Sequence, residues 1–188
     1  MCRKGEKTMA EESKMKQEIS VPDAVTASFK DNTLHIKGEK GELSRVFSHP
    51  DFTISVANDT ISVHSKKFRR KQKALMGTYV AHINNMIHGV TDGFEYKMKT
   101  VYSHFPIKTN VEDNMFIVQN FLGERNPRKA LILDGITVKS KGDDVTVKGI
   151  DKEKVGQTVA NIERATSVSR RDIRVFQDGI YLTSKGGN

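Results

Sequence analysis

A chain of 188 residues fits one generous domain or two small ones, which excludes a large multidomain enzyme. Only 36% of the residues are hydrophobic when glycine is left out of the count, so any core is modest. The 31 Lys and Arg outnumber the 23 Asp and Glu for a formal charge of +8, a balance that suits an anionic partner and suits metal cages or acid-rich partners poorly. Tryptophan is absent, and the single cysteine, Cys2, excludes a disulfide framework and points to a reducing compartment.

Residues 1–18 hold no apolar run of the kind a secretory leader needs. Glu6, Glu11, Glu12 and Glu18 lie among its bases, so the segment reads as a charged, disordered cytoplasmic extension. The longest apolar runs, Met115 to Val118 and Ala130 to Leu133, span four residues each. A membrane helix needs about 20, and no membrane contact is expected.

Beyond the extension, Val25, Ala27 and Phe29 alternate up to the turn signal Asp31-Asn32, and Leu34 and Ile36 alternate after it, which predicts a hairpin. Gly38 to Leu43 is Gly-rich and carries Lys40, but it lacks the spacing of a phosphate loop and no helix follows it, so a hairpin or bulge is expected. Phe52, Ile54 and Val56, then Ile61 and Val63 beyond Asn58-Asp59, predict a second strand pair in the same antiparallel sheet. The period then changes. Leu75, Tyr79, Ile83, Met86, Ile87 and Val90 step by three or four, the stripe of an amphipathic helix, with Gly89 as its expected stop.

A boundary is expected near Thr91 to Gly93. Past it, Phe94 to Phe105 is strand-like, and Ile107 to Glu112, Met115 to Asn120, Ile136 to Val138 and Val145 to Val147 predict strands. A helix carrying Val155, Val159 and Ile162, with Asp151 as N-cap, follows. Arg174 to Leu182 predicts a last short strand, and residues 183–188 a tail.

The two halves repeat each other. Asp31-Asn32 and Gly41-Glu42 recur as Asp113-Asn114 and Gly123-Glu124 at one offset of 82 residues, and Phe29, Leu34, Ile36, Ile54 and Val56 fall on Val111, Phe116, Val118, Ile136 and Val138. Gly77, Val80, Ala81 and Ile83 recur as Gly156, Val159, Ala160 and Ile162 at an offset of 79. The expectation is an α+β fold of two tandem duplicated modules, residues 19–92 and 93–182, each an antiparallel-rich sheet with one helix packed on one face.

Chemistry-bearing patterns are sparse. The six histidines show no metal-ligand spacing and no cysteine companion, and His82 and His88, six apart, do not share a helix face. The carboxylate pairs Glu112-Asp113 and Asp143-Asp144 sit at turns. No catalytic residue, metal or cofactor is expected, and the chain does not read as an enzyme.

The basic clusters are the informative feature. Lys66, Lys67, Arg69, Arg70, Lys71 and Lys73 place six cations in eight residues at the start of the first helix, where the macrodipole disfavours them by roughly 0.3–1 kcal/mol each. Phosphates of RNA or DNA would offset that cost, and the backbone N–H groups of a helix start favour the same anions; the plainer alternative is a solvated charged face kept for solubility. Arg125, Arg128 and Lys129 surround Asn126-Pro127 in a loop, and Arg170, Arg171 and Arg174 follow the second helix. Arg-tipped loops suit a folded RNA read by shape and phosphate. Tyr102, His104 and Phe105 are able to stack on bases, and each fits a place in the core or a turn equally well.

Several segments carry a family resemblance. Gly89-Val90-Thr91-Asp92-Gly93-Phe94-Glu95-Tyr96-Lys97-Met98-Lys99, continuing through Val101-Tyr102-Ser103-His104-Phe105-Pro106-Ile107, strongly resembles the large-subunit ribosomal protein family numbered six in bacteria and nine in eukaryotic cytosolic ribosomes. Lys37 to Leu43, Asn120 to Glu124 and Val155 to Thr158 are similar to further segments of it, and Arg171 to Tyr181 resembles the archaeal and eukaryotic ending. The match runs from about Ile19 to Lys185. Glu39 stands where the family often has Pro, and the run from Lys66 to Lys73 lacks an aromatic pair seen in many eukaryotic members.

The resemblance implies a structural protein without an active site. It implies binding to large-subunit rRNA near the sarcin-ricin loop and the stalk base, neighbouring ribosomal proteins as partners, and translational GTPases docking nearby. A cytosolic ribosome is the implied location, with nuclear or nucleolar assembly in a eukaryote. Beside it stand a free-standing RNA-binding or ribosome-assembly factor, an enzyme using the Gly38 to Gly41 loop for phosphorylated ligands, and a scaffold whose open sheet face binds protein.

Overall fold

The computed structural model describes residues 16–57, 60–66 and 69–186, and the chain forms two compact units, Met1–Thr91 and Asp92–Asn188. The expected disordered extension lies outside the described residues up to residue 15. Its last three residues, Lys16 to Glu18, differ from expectation: they belong to strand β1 (Lys16–Ser20), whose backbone pairs along β6 (Thr60–Ser65) from Ser20↔Thr60 back to Lys16↔His64. Burial of Ile19 anchors that ladder, and the backbone bonds carry it outward.

In the first unit, β2 (Thr26–Lys30) and β3 (Thr33–Gly38) meet at Asp31 and Asn32, whose φ values of 49° and 59° make the tight turn that matches strand twist. Asn and Asp tolerate that left-handed region better than other side chains do. Strand β4 (Gly41–Val46) folds back through a two-residue turn at Glu39 and Lys40. Strand β5 (Phe52–Ala57) pairs with β6, and helix α1 (Arg70–Thr91) follows. The sequence hairpin Asn58-Asp59 and Lys67 lie outside the described residues.

The second unit repeats this order. It contains β7 (Phe94–Val101), β8 (Lys108–Glu112), β9 (Met115–Gln119), a 3-10 turn (Phe121–Gly123), β10 (Arg128–Leu131), β11 (Ile136–Lys141), β12 (Asp144–Gly149) and helix α2 (Lys152–Ala165). A last strand, β13 (Gly179–Lys185), has no counterpart among the described residues of the first unit. The fold is α+β, built from duplicated modules.

The strands of each module divide between two small sheets instead of joining the single sheet expected from their alternation. The orders are β1-β6-β5 and β2-β3-β4 in the first unit, and β11-β12-β7-β13 and β10-β9-β8 in the second. One helix serves both sheets of its unit, its apolar stripe covering the buried face of each. From α1, Met76, Ile83, Met86, Ile87 and Val90 are buried. From α2, Val155, Val159 and Ile162 join Phe116, Val118 and Met98 in one apolar cluster. The side chain of Asp151 accepts from the Glu153 N–H at 2.9 Å and starts α2 as expected.

Strand pairing corrects the repeat in two places. Ile54 lies opposite Val63 and Val138 opposite Val147, so Ile54 matches Val138 and not Ile136. Both alignments keep apolar on apolar, because a slip of two residues returns a strand to the same face. Gly41 opens β4 opposite Gly38, whereas Gly123 ends the 3-10 turn and β10 starts only at Arg128. The second hairpin connection is thus the longer one, and Arg128 and Lys129 are strand residues.

Three element boundaries differ from expectation. Gly89 does not stop α1; it is buried in helical conformation, and the chain turns at Gly93, whose φ is 70°. Strand β7 ends at Val101, leaving residues 102–107 as a loop. The final strand starts at Gly179 and runs to Lys185, so it takes in part of the expected tail and omits Arg174 to Asp178.

Gly38 shows how tightly the first hairpin meets α1. A Cβ there would sit 2.8 Å from Val90 Cγ2 and 2.9 Å from the Val90 carbonyl oxygen, and the Lys40 N–H donates to that carbonyl at 3.1 Å. Replacing Gly38 by Val is expected to destabilise the protein by about 1–3 kcal/mol through overpacking. Gly77 is helical and exposed with nothing within 4 Å of an added Cβ, so Gly77→Ala is expected to stabilise by about 0.5–1 kcal/mol. Thermal unfolding of the two variants checks both signs.

Candidate nucleic-acid interface

Lys66 and Arg69 precede α1, and Arg70, Lys71 and Lys73 lie on its first turn; all five are exposed. That turn contains no acidic residue, and none of the five has an ion-pair partner among the described residues. The segment is held in place from beneath: the Lys66 N–H donates to the Asp51 carbonyl at 2.9 Å, and Gln72 Nε2 donates to Asp51 Oδ2 at 3.5 Å. The result is a cationic helix start with its side chains in solvent, opposite in sign to what the helix dipole favours.

The second unit gathers its arginines differently. Three connections meet at one end: the loop 102–107, the turn 120–127 and the loop 166–178. Asn120 Nδ2 donates to the Pro106 carbonyl at 3.1 Å, and the Phe105 ring lies over Gly123, with its Cζ 3.3 Å from where a Cβ would be. The Ser103 N–H donates at 3.1 Å to the carboxylate of Asp178, which is buried.

Arg128 fastens the remaining pair of segments. Its Nε and NH2 groups donate to the two carboxylate oxygens of Glu124 at 2.9 and 2.7 Å, and NH1 donates to the Ala165 and Ser167 carbonyls at 3.1 and 2.9 Å. Its guanidinium also lies 4.2 Å from the centre of the Phe121 ring. Arg128 is thus a strand residue with internal partners, and not on the loop where the sequence reading puts it as a phosphate contact. A guanidinium satisfied on four bonds at the C-terminus of α2 is a structural clamp.

The other cations of this end remain outward. Arg125, Lys129 and Arg170 are exposed without a partner among the described residues. Arg171 lies 4.8 Å from the Phe176 ring centre, and Arg174 forms an exposed pair with Asp172 at 2.9 Å. Hydrogen bonding from Arg128 holds the Glu124 carboxyl below the usual glutamate range, and the charges of Arg128 and Arg171 add to it. Hydrogen bonds from the Arg174 side chain and backbone likewise hold Asp172 low.

One basic surface was missed. Opposite α2, the face of the sheet β11-β12-β7-β13 carries Lys97, Lys99, Lys139, Lys141 and Lys148, all exposed, against Asp144 and Glu95. Lys148 pairs with Glu95 at 2.7 Å, and that bond holds the Glu95 carboxyl below its usual range. Asp144 sits between Lys99 and Lys141 in register, and Thr146 between Lys97 and Lys139. The available signal was lysine at alternate positions of two strands, 97 and 99, then 139 and 141. A count of charge runs passes over it.

Among the described residues no three His, Cys, Asp or Glu side chains are placed to hold a metal ion, and no helix is long and apolar enough to cross a membrane. What the geometry offers is a duplicated α+β protein whose charged features are exposed cations on loops, a helix start and a sheet face. That places it among basic binding proteins. Its family follows from comparison with known proteins.

The family model for ribosomal protein L6 matches the chain twice, over residues 21–93 and 105–179, one match in each unit. The large ribosomal subunit protein uL6 of Methanobrevibacter smithii is 48% identical over 171 residues, covering 91% of this chain and 96% of that protein. The protein of the same name from Methanothrix thermoacetophila is 48% identical over 167 residues, covering 89% and 95%. The chain belongs to the ribosomal protein L6 family, whose members are structural proteins and not enzymes.

Loss of the Arg128 clamp has a predictable cost. Arg128→Ala leaves the Ala165 and Ser167 carbonyls and the Glu124 carboxylate without their donor, an expected loss of about 1–3 kcal/mol; Arg128→Lys recovers only part of it because the fork is gone. Because the folded state lowers the Glu124 pKa, the pair stabilises above the ordinary glutamate range and fades as pH falls through the lowered value. Urea unfolding at stepped pH is expected to show the gap between wild type and Arg128→Ala narrowing in acid, the carbonyl bonds keeping the remainder. High salt is expected to narrow the gap as well, since Glu124 is 42% exposed.

Proposed function

We propose that this chain is a structural constituent of the large ribosomal subunit in the cytosolic ribosome. It binds large-subunit rRNA near the sarcin-ricin loop and stalk base, among neighbouring ribosomal proteins, and supports the region where translational GTPases dock. The observation that carries the reading is the match of both units to the L6 family, with 48% identity over 91% of the chain to a large-subunit protein. The cations of the basic clusters support it. Lys66, Lys67, Arg69, Arg70, Lys71 and Lys73 anchor phosphates through the first unit, and Arg125, Lys129, Arg170, Arg171 and Arg174 do so through the second, while Arg128 positions their loops.

Sedimentation of the tagged chain through a sucrose gradient, before and after a high-salt wash, tests this. Retention with large subunits and polysomes through the wash is the expected result; release by salt would indicate an assembly factor, and absence from both fractions would refute the ribosomal reading.

The α1 cluster allows a sharper test, because binding and stability respond in opposite directions. Replacing Arg69, Arg70, Lys71 and Lys73 by Gln is expected to stabilise the free protein by about 0.3–1 kcal/mol per relieved cation at the helix N-terminus. The same change is expected to flatten the salt dependence of rRNA affinity by about 0.7–0.9 in slope per lost phosphate contact. Thermal unfolding and filter binding at a series of salt concentrations measure the two.

A further inference from the structure

The loop 102–107 exposes three rings on a stretch of backbone that is firmly held. Tyr102 and Phe105 are 39% and 40% exposed, and His104 is exposed beside Phe105, with ring centres 4.7 Å apart. Flexibility does not explain the exposure. The Ser103 N–H is bound to the buried Asp178 carboxylate, the Pro106 carbonyl to Asn120, and the Phe105 ring rests on Gly123. The His104 and Phe105 rings are held by each other and by Gly123, and the backbone beside Tyr102 is bonded, so little freedom is lost when a flat ligand covers the loop.

Charge beside the rings selects the ligand. The acidic groups of this end are consumed internally: Glu124 by Arg128, Asp178 by Ser103, and Asp172 by Arg174. What remains outward is Arg125, two residues beyond the glycine under Phe105, and Arg171, which is close enough to Glu124 to act on its carboxyl. A ligand that brings a flat aromatic face and an anion in each unit fits this surface, and an unpaired nucleotide is such a ligand. A protein partner would need to supply apolar and acidic side chains in matching alternation.

We infer that Tyr102, His104 and Phe105 form a stacking platform for unpaired nucleobases, with Arg125 and Arg171 taking the adjoining phosphates. This rests on the RNA-binding reading above and deepens it, since it assigns to this loop unpaired RNA and not duplex. The contribution of the rings is independent of salt, whereas that of the arginines is not.

The test uses the full chain, a fluorescein-labelled 12-nucleotide single-stranded RNA, and an RNA duplex of the same length, followed by anisotropy across a salt series. The double variant Tyr102→Leu with Phe105→Leu keeps apolar contact with Gly123 and removes two of the three π-faces. It is expected to bind the single strand about tenfold or more weakly, to bind the duplex within about twofold of wild type, and to keep the salt slope. Arg125→Gln with Arg171→Gln is expected to lower that slope. Tyr102→Phe with Phe105→Tyr restores single-strand affinity and guards against misfolding of the leucine variant.

Because the chain has no Trp, Tyr102→Trp adds a unique fluorophore, expected to be quenched by the single strand and not by the duplex. Unchanged single-strand affinity in the leucine variant, or an unquenched Trp, overturns the platform while leaving the RNA reading in place. Failure of wild type to bind either RNA at low salt overturns both.

Discussion

Everything else in this molecule depends on one constraint: in each unit a single helix must cover two sheets too small to stand alone. Three or four strands gain stability only by burying a face, and the helix stripe is the apolar surface available to both sheets. The contacts at the helix ends therefore matter as much as those at its middle. In the first unit the last turn of α1 receives the β3–β4 hairpin, where Gly38 has room for no side chain and Val90 accepts a hydrogen bond from Lys40. In the second unit the C-terminus of α2 is tied down by side chains. Thr166 Oγ1 accepts from the Ile180 N–H, Glu163 accepts from the Leu182 N–H, and Arg128 covers the last carbonyls.

The same helix polarity separates structural cations from the candidate RNA contacts. At the C-terminus of α2, a positive charge meets unpaired carbonyls and is favoured, so Arg128 is absorbed into the fold. At the N-terminus of α1, cations meet the positive end of the dipole and find no carboxylate in the first turn, so Lys66, Arg69, Arg70, Lys71 and Lys73 stand in solvent. Arg128 and the α1 cations thus differ in their partners by where they sit along a helix. The cations that the helix dipole disfavours are the ones with no carboxylate in the first turn.

Duplication supplied one architecture, and divergence at its connections supplied the differences. The burial alternation of β5 and β11 is the same residue for residue, as is that of β6 and β12. The β3–β4 turn of two residues, by contrast, becomes the segment 120–127 in the second unit, with left-handed φ at Asn120, Leu122 and Gly123. That longer turn receives Phe105 on Gly123 and supplies Glu124 to Arg128. Addition of β13 and the loop before it brings Asp178 beneath Ser103 and Arg171 near Glu124. The three-loop end of the second unit rests on these differences.

Local pattern determined much of this in advance. Alternation located most of the strands, though not β1 or β10, three-and-four spacing located both helices, Asp31-Asn32 marked its turn and Asp151 its cap, because each of these is decided by neighbours along the chain. The repeat, too, was legible, since apolar positions recur wherever the same module recurs, and the cationic run at residues 66–73 stood at the start of a helix in the sequence as in the structure. Division of the strands into two sheets, the continuation of α1 through Gly89, the turning of Arg128 inward and the assembly of lysines from β7, β11 and β12 on one face were not legible. Each depends on which segments lie side by side, and a side chain becomes a clamp or a contact only when distant residues supply, or fail to supply, its hydrogen-bond partners. The sequence by itself determined the module, its duplication and its charge; tertiary structure alone decided which of those charges face solvent, because pairing between strands far apart in the chain sets every such neighbour.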